Sequence, residues 1–186
     1  MKNKERFKDL EVLVDTYLEK MERIARKNEF DSVAIGAVYD RFLEDVYSYT
    51  NKMIRKKWGE KQASKSANID NLVFDVKDRE KVIGYMLEYH TQRDKKLLSK
   101  PQLVMDTEGI HLYNHIIQEK VLDGAFGYYV VGGEHCSKCV AGVIEYDSAV
   151  KIPPYHPGCL CHITEVYQDE EEFREAQEHY NGDSNL

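Results

Sequence analysis

The sequence predicts a mainly α-helical protein with a small C-terminal β-rich zinc knuckle, an α+β arrangement whose helical body has about four long helices. Three observations predict this fold class. Apolar residues recur every three or four positions over most of the chain up to Leu122, as in amphipathic helices. Short β-branched and aromatic runs follow Gly124. All four cysteines lie in one 26-residue window, from Cys136 to Cys161, in the segments between these strand-like runs.

The first two predicted helices occupy residues 1–57. One runs from about Phe7 to Ala25, with a single apolar stripe and charged residues elsewhere. The other begins at Asp31, whose carboxylate can cap the first turn, and continues to about Ile54. We predict that the two helices pack as a hairpin, with stripes wide enough to contact a partner as well.

A polar segment, residues 58–75, interrupts this periodicity and predicts a linker. Helical periodicity resumes near Lys77 and runs to about Ser99. Pro101 either stops that helix or starts the next one, because proline lacks an N–H donor but suits a first helical turn.

The fourth long helix is predicted from Pro101 to Leu122, with Gly124 as its C-cap, so residues 76–126 form one helical region. Residues 127–167 form the knuckle, which is too small to bury a core and would take its folding energy from an ion. The acidic tail, residues 168–186, is predicted to contain a short helix and a disordered end. The predicted strands are Gly127–Val131, Ala141–Tyr146 and His162–Tyr167, and the tail helix is Phe173–Tyr180.

The cysteine spacing predicts the metal site. Cys136 and Cys139 are separated by two residues, a spacing with which one turn presents both thiolates to an ion. Cys159 and Cys161 would face the same side of an extended strand, and a Pro-Gly turn could return His156 to the ion. Sulfur and nitrogen ligands favour zinc over calcium or magnesium. We predict one structural Zn²⁺ held by four of these five residues, either four cysteines or three cysteines and the histidine.

Other uses of these cysteines are weaker interpretations. Disulfides are disfavoured because the N-terminus has no apolar run of a signal peptide and cysteine is sparse. Redox-active thiols are a further alternative. A catalytic zinc needs an open position and an adjacent acid or base, and no spacing assigns that role to Glu134, Glu145 or Glu165. The HExxH and deaminase patterns are also absent, so we expect no catalytic residue and no enzymatic activity.

Composition is typical of one globular chain with extensions. The 186 residues are 42% hydrophobic and 32% charged, and no stretch approaches the roughly 18 apolar residues of a membrane span. A net charge of −7 argues against a general nucleic-acid binder. The basic clusters at residues 52–65 and 93–100 are interpreted as solvated surfaces, with a phosphate contact as the alternative. His135 and His162, and the pair His111 and His115, are interpreted as ordinary surface, core or supporting histidines.

The order of these parts resembles the Mu F-like phage head morphogenesis proteins, minor capsid proteins of tailed phages. The matching stretch, about 103–166, has Asp106-Thr107-Glu108, Tyr113-Asn114, the Cys136 and Cys139 pair, and a run from Pro153 to Cys161 containing His156. Two positions depart from the family pattern, which usually has basic residues where this chain has Asp106 and Leu160.

The resemblance implies a non-enzymatic role in head assembly, DNA packaging or DNA ejection. It implies the portal and major capsid proteins as partners, with packaged DNA and a second copy of the chain as further candidates, and no membrane partner. The implied location is the virion, in the capsid interior or at the portal vertex, and the host cytoplasm during assembly. The alternatives are a zinc-stabilised protein- or DNA-interaction module outside any virion, and an enzyme with zinc or a reactive cysteine.

Overall fold

Six α-helices and three β-strands follow one another in a computed structural model that describes residues 8–67, 76–132, 139–147, 152–153, 155 and 159–183. The helices are α1 (Lys8–Ala25), α2 (Ser32–Trp58), α3 (Glu60–Ala63), α4 (Val76–Gln92), α5 (Ser99–Ile117) and α6 (Glu170–Asp183). A 3₁₀ turn, Lys95–Leu98, precedes α5, and a π-helical turn, Gln118–Leu122, follows it. The strands are β1 (Gly127–Val131), β2 (Gly142–Glu145) and β3 (His162–Tyr167).

This architecture confirms a mainly helical protein with a small C-terminal sheet. The expectation of about four long helices is met only in part. α1, α2, α4 and α5 have 18, 27, 17 and 19 residues, and α6 adds a further helix of 14 residues that begins before the predicted Phe173. None of the described helices is long and apolar enough to cross a membrane.

The chain folds as two units, each built from two separate stretches of sequence. Unit 1 comprises residues 1–49 and 68–112, and unit 2 comprises residues 50–67 and 113–186. The boundaries of the hairpin, linker, helical region, knuckle and tail remain predictions.

Unit 1 packs the apolar faces of its helices around a core in which Val14, Met21, Phe42 and Met86 are fully buried. Asp31 caps α2 as predicted, because its Oδ1 accepts a hydrogen bond from the Ala34 N–H at 2.8 Å.

One predicted helix boundary is wrong. α4 ends at Gln92 rather than near Ser99, because Arg93 adopts a left-handed φ of 57°. The Arg93 guanidinium donates to the carbonyls of Ala25 and Lys27 at 2.7 and 3.2 Å, and these contacts hold the residue there. The segment predicted as a polar linker contains α3, a helix of four residues whose Ala63 is buried.

Unit 2 contains an antiparallel sheet with strand order β2-β1-β3. The register between β1 and β3 shifts between Tyr129 and Val130, which pair with Glu165 and Ile163, so Thr164 forms a bulge. α6 packs against the sheet through Phe173 and Tyr180. β1 and β3 span the predicted residues, and β2 lies inside its predicted range.

Candidate metal centre

Cys139 meets Cys159 and Cys161, which follow it by 20 residues or more in the sequence, beside the sheet of unit 2. Cys139 precedes β2, whereas Cys159 and Cys161 lie in the extended segment that leads into β3. Their three Sγ atoms all lie within 4.8 Å of one another. Of the His, Cys, Asp and Glu side chains that the structure describes, these three cysteines form the group of three or more that lie close enough to share one ion.

The spacing of the sulfur atoms fits a metal better than a disulfide. The Sγ atoms of Cys139 and Cys159 are 3.6 Å apart, well beyond the roughly 2.05 Å of an S–S bond. Tetrahedral zinc with Zn–S distances near 2.3 Å places its sulfur ligands about 3.8 Å apart. The three side chains therefore fit a zinc-type site, and none of them forms a disulfide.

Burial and hydrogen bonding shape the chemistry of these thiols. Cys159 and Cys161 are 1% and 0% exposed, whereas Cys139 is half-buried. Burial alone would raise the pKa of Cys159, but hydrogen bonds from the backbone of Tyr155 and Cys161 and from the neighbouring thiols outweigh it and lower that pKa. The lowered pKa makes the thiolate of Cys159, the form that binds metals, easier to form.

Gly132 and Tyr155 complete the surroundings of the sulfur cluster. A Cβ atom added at Gly132 would lie 3.4 Å from the Cys161 Sγ and 3.1 Å from the Ala141 Cβ, so a larger residue would crowd the cluster. Burial raises the pKa of the Tyr155 phenol, and the nearby Tyr128 and the thiols add to the shift. Sequence reasoning missed Tyr155 as a neighbour of the thiols; its place in the Pro-Pro-Tyr-His run was the available signal.

The remaining predicted ligands, Cys136 and His156, lie outside the described residues, as do His135 and Glu134. The identity of the fourth ligand therefore stays a prediction. His162 is not a member of the sulfur cluster. Burial lowers its pKa to about 4, and its Nδ1 lies 3.2 Å from the Leu160 carbonyl oxygen.

The two described glutamates considered as acid or base partners lie elsewhere. Glu145 is exposed on β2. Glu165 forms an ion pair with Lys57, whose amine also donates to the Thr164 carbonyl. His111 is exposed on α5 with its Nδ1 3.6 Å from Glu108, and neither it nor His115 belongs to a cluster of potential ligands among the described residues.

The edge of β3 is held by side chains from α5. Asn114 donates through Nδ2 to the Cys161 carbonyl at 2.9 Å and accepts through Oδ1 from the Ile163 N–H at 3.0 Å. The Tyr113 hydroxyl donates to the Ile163 carbonyl at 3.0 Å. Neighbouring residues of one helix thus contact β3 and Cys161, the residue that immediately precedes it.

In comparisons with known proteins, no family model, curated protein or solved structure matches this chain.

Proposed function

We propose that this protein is a minor head protein of a tailed phage or prophage, and that it folds around one structural zinc ion. The observation that carries the proposal is the contact between Asn114 and Cys161, whose side-chain amide and carbonyl oxygen are 2.9 Å apart. These residues belong to two separate parts of the stretch that resembles the head morphogenesis proteins. Their contact supports the proposal because it joins the helical part and the Cys-x-Cys part in one folded unit.

The proposed zinc ligands are Cys139, Cys159 and Cys161, with Cys136 or His156 as the fourth. Zinc would act as a Lewis-acid crosslink that neutralises the thiolate charge and ties the chain around the sheet together. A structural role agrees with the position of Glu165, which is paired with Lys57 and does not belong to the sulfur cluster.

The proposed partners are the portal and major capsid proteins, and the proposed location is the capsid interior or portal vertex. Unit 1 exposes large apolar side chains that a protein partner would cover. Val12, Val33 and Leu103 expose 55%, 78% and 55% of their surface. Packaged DNA and a second copy of the chain are further proposed partners.

Particle fractionation tests the proposed location. Phage or prophage particles from the strain that carries the gene are separated from soluble lysate on a density gradient, and the chain is quantified by mass spectrometry in each fraction. A low, fixed ratio to the portal protein in assembled particles is the expected result. Recovery of the chain in soluble lysate alone would contradict a virion role and direct attention to an interaction module.

A pair of matched variants links the metal to assembly. Cys161→Ser removes a buried thiol, whereas Leu160→Ser makes a similar polar change at the adjacent residue, which is 44% exposed. When each variant replaces the chain during particle production, we expect Cys161→Ser to reduce the yield of filled heads and Leu160→Ser to leave it near that of the unaltered chain. Equal yields would show that the thiol is not needed for assembly.

A further inference from the structure

Asn114 occupies an unusual position for a polar side chain. It is 0% exposed, and its amide lies beside the backbone of β3, which is an edge strand of the sheet. A buried amide is costly unless its donors and acceptor are bonded, and here both the Nδ2 and the Oδ1 atoms have backbone partners in the segment that includes Cys161.

The two hydrogen bonds of Asn114 act on one side of the strand. β1 pairs with β3 on its other side, whereas the Cys161 carbonyl and the Ile163 N–H are directed to Asn114 of α5. The Asn114 amide donates to the Cys161 carbonyl and accepts from the Ile163 N–H. The backbone of a neighbouring strand would make the same two hydrogen bonds at this edge. The backbone between Cys161 and Ile163 is therefore anchored to α5.

We infer that Asn114 is a positioning residue for the metal site: its amide fixes the backbone of Cys161 so that the thiolate is held beside Cys139 and Cys159. This inference rests on the proposed structural metal, and it assigns the organisation of that metal site to a helical residue 47 positions away in sequence. Changing a group that orients a metal ligand typically lowers metal affinity by about 10–100-fold, because a loosely held ligand must be ordered when the ion binds.

Tyr113 provides a matched control on the same helix and the same strand. Its hydroxyl donates to the Ile163 carbonyl at 3.0 Å, and it is 6% exposed. Tyr113→Phe removes one buried hydrogen bond to β3 but leaves both bonds of Asn114 in place. A loss of stability alone is expected from Tyr113→Phe, whereas a loss of metal affinity is expected from changes at Asn114.

The test measures Zn²⁺ affinity of the full chain by competition with a chromophoric chelator, under reducing conditions and at a temperature where circular dichroism shows each variant folded. Asn114→Ala removes both hydrogen bonds. Asn114→Asp keeps the acceptor for the Ile163 N–H and removes the donor to Cys161, which gives a second variant of nearly unchanged size. Co²⁺ replaces Zn²⁺ in a parallel set, because its sulfur charge-transfer and ligand-field bands report ligand geometry.

We expect both Asn114 variants to bind Zn²⁺ at least about tenfold more weakly than the unaltered chain and to shift the Co²⁺ bands. We expect Tyr113→Phe to bind Zn²⁺ within about threefold of the unaltered chain and to retain its Co²⁺ bands. We expect its melting temperature to fall about as much as those of the Asn114 variants. Asn114 variants that melt earlier but bind Zn²⁺ within about threefold of the unaltered chain would overturn the positioning role while leaving the metal site intact. Failure of the unaltered chain to bind Zn²⁺ would overturn the metal site and the positioning role together.

Discussion

The Sγ atoms of Cys139 and Cys159 lie 3.6 Å apart, although the two residues are 20 positions apart in sequence. Each thiolate carries negative charge when it binds a metal, and two such charges at this distance repel one another strongly in a buried site. A bound cation removes that repulsion. The geometry of this pair therefore connects metal binding to the stability of unit 2.

The first prediction concerns Cys161→Ser. We expect zinc content to fall from about one ion per chain to well below one, because serine is a poor zinc ligand. We also expect the unfolding free energy of unit 2 to fall by about 3 kcal/mol or more, a fraction of the roughly 10–16 kcal/mol of structural zinc sites. Elemental analysis and chelator-dependent melting measure both quantities. Leu160→Ser is the control; equal metal content in the two variants would contradict the assignment.

The second prediction concerns the packing of α6 on the sheet. A Cβ atom at Gly127 would lie 2.2 Å from the Phe173 Cε2 atom and 2.6 Å from the Ile144 carbonyl oxygen. The backbone atom cannot move aside cheaply, so we expect Gly127→Ala to lower the unfolding free energy by about 1–3 kcal/mol. Urea titration followed by tyrosine fluorescence measures the change.

Gly84 in α4 is the matched control for this glycine. A Cβ atom there would meet nothing within 4 Å, and alanine is favoured over glycine inside a helix. We expect Gly84→Ala to raise the unfolding free energy by about 0.5–1 kcal/mol. The same sign for both substitutions would contradict the close approach of Phe173 to β1.

A predicted element agrees with the structure where its boundaries are set by neighbouring residues in the sequence, and disagrees where distant contacts set them. β3 matches its predicted bounds because a run of β-branched residues from His162 to Tyr167 is read from neighbouring residues alone. The end of α4 is set instead by the contacts of Arg93 with the end of α1, which no local pattern carries. The proximity of Cys139 to Cys159 was predictable from ligand spacing, since thiolates with metal-site spacing are a strong signal.

The hydrogen bonds of Asn114 to Cys161 and Ile163 were not predictable from the residues around it. Its immediate neighbours on α5 indicate only a buried helix face, whereas its partners are backbone atoms of Cys161 and Ile163. The Thr164 bulge is similarly invisible in the sequence, because it depends on how β1 and β3 pair.

The third prediction concerns Lys120, a cation that is 3% exposed. Its Nζ donates to the Asn51 Oδ1 at 2.6 Å and to the Ala63 carbonyl at 2.9 Å, which ties the π-helical turn after α5 to the end of α2 and to α3. Lys120→Met keeps the length and apolar stem but removes these donors. We expect a loss of about 1–3 kcal/mol in unfolding free energy, because the buried Ala63 carbonyl loses its charged donor.

Glu119→Met is the control for Lys120, because Glu119 is the preceding residue and is exposed. Its effect should stay within about 0.5 kcal/mol, as for most surface substitutions. Denaturant unfolding measures the free energy of unfolding of both variants. Equal effects would mean that the hydrogen bonds of the Lys120 amine contribute little to stability.

The fourth prediction concerns the pH dependence caused by Asp106 in unit 1. Burial, with the nearby charges of Asp15 and Glu11, raises the pKa of Asp106 from 3.8 to about 6. Between these two values the folded chain holds a proton that the unfolded chain has lost. The contribution of Asp106 to the free energy of unfolding therefore falls as pH rises from about 4 to about 6. At pH 7 the ionised Asp106 still destabilises the folded chain.

Asp106→Asn removes this cost, because a neutral amide does not ionise. We expect the variant to be more stable than the unaltered chain at pH 7 by about 1–2 kcal/mol, a value reduced for solvent screening of a half-buried group, and the difference to vanish below about pH 4. Urea unfolding at several pH values measures it, with Glu29→Gln at an exposed position as the control. An advantage of Asp106→Asn that is equal at pH 4 and pH 7 would contradict the raised pKa, since the ionised carboxylate alone carries the cost.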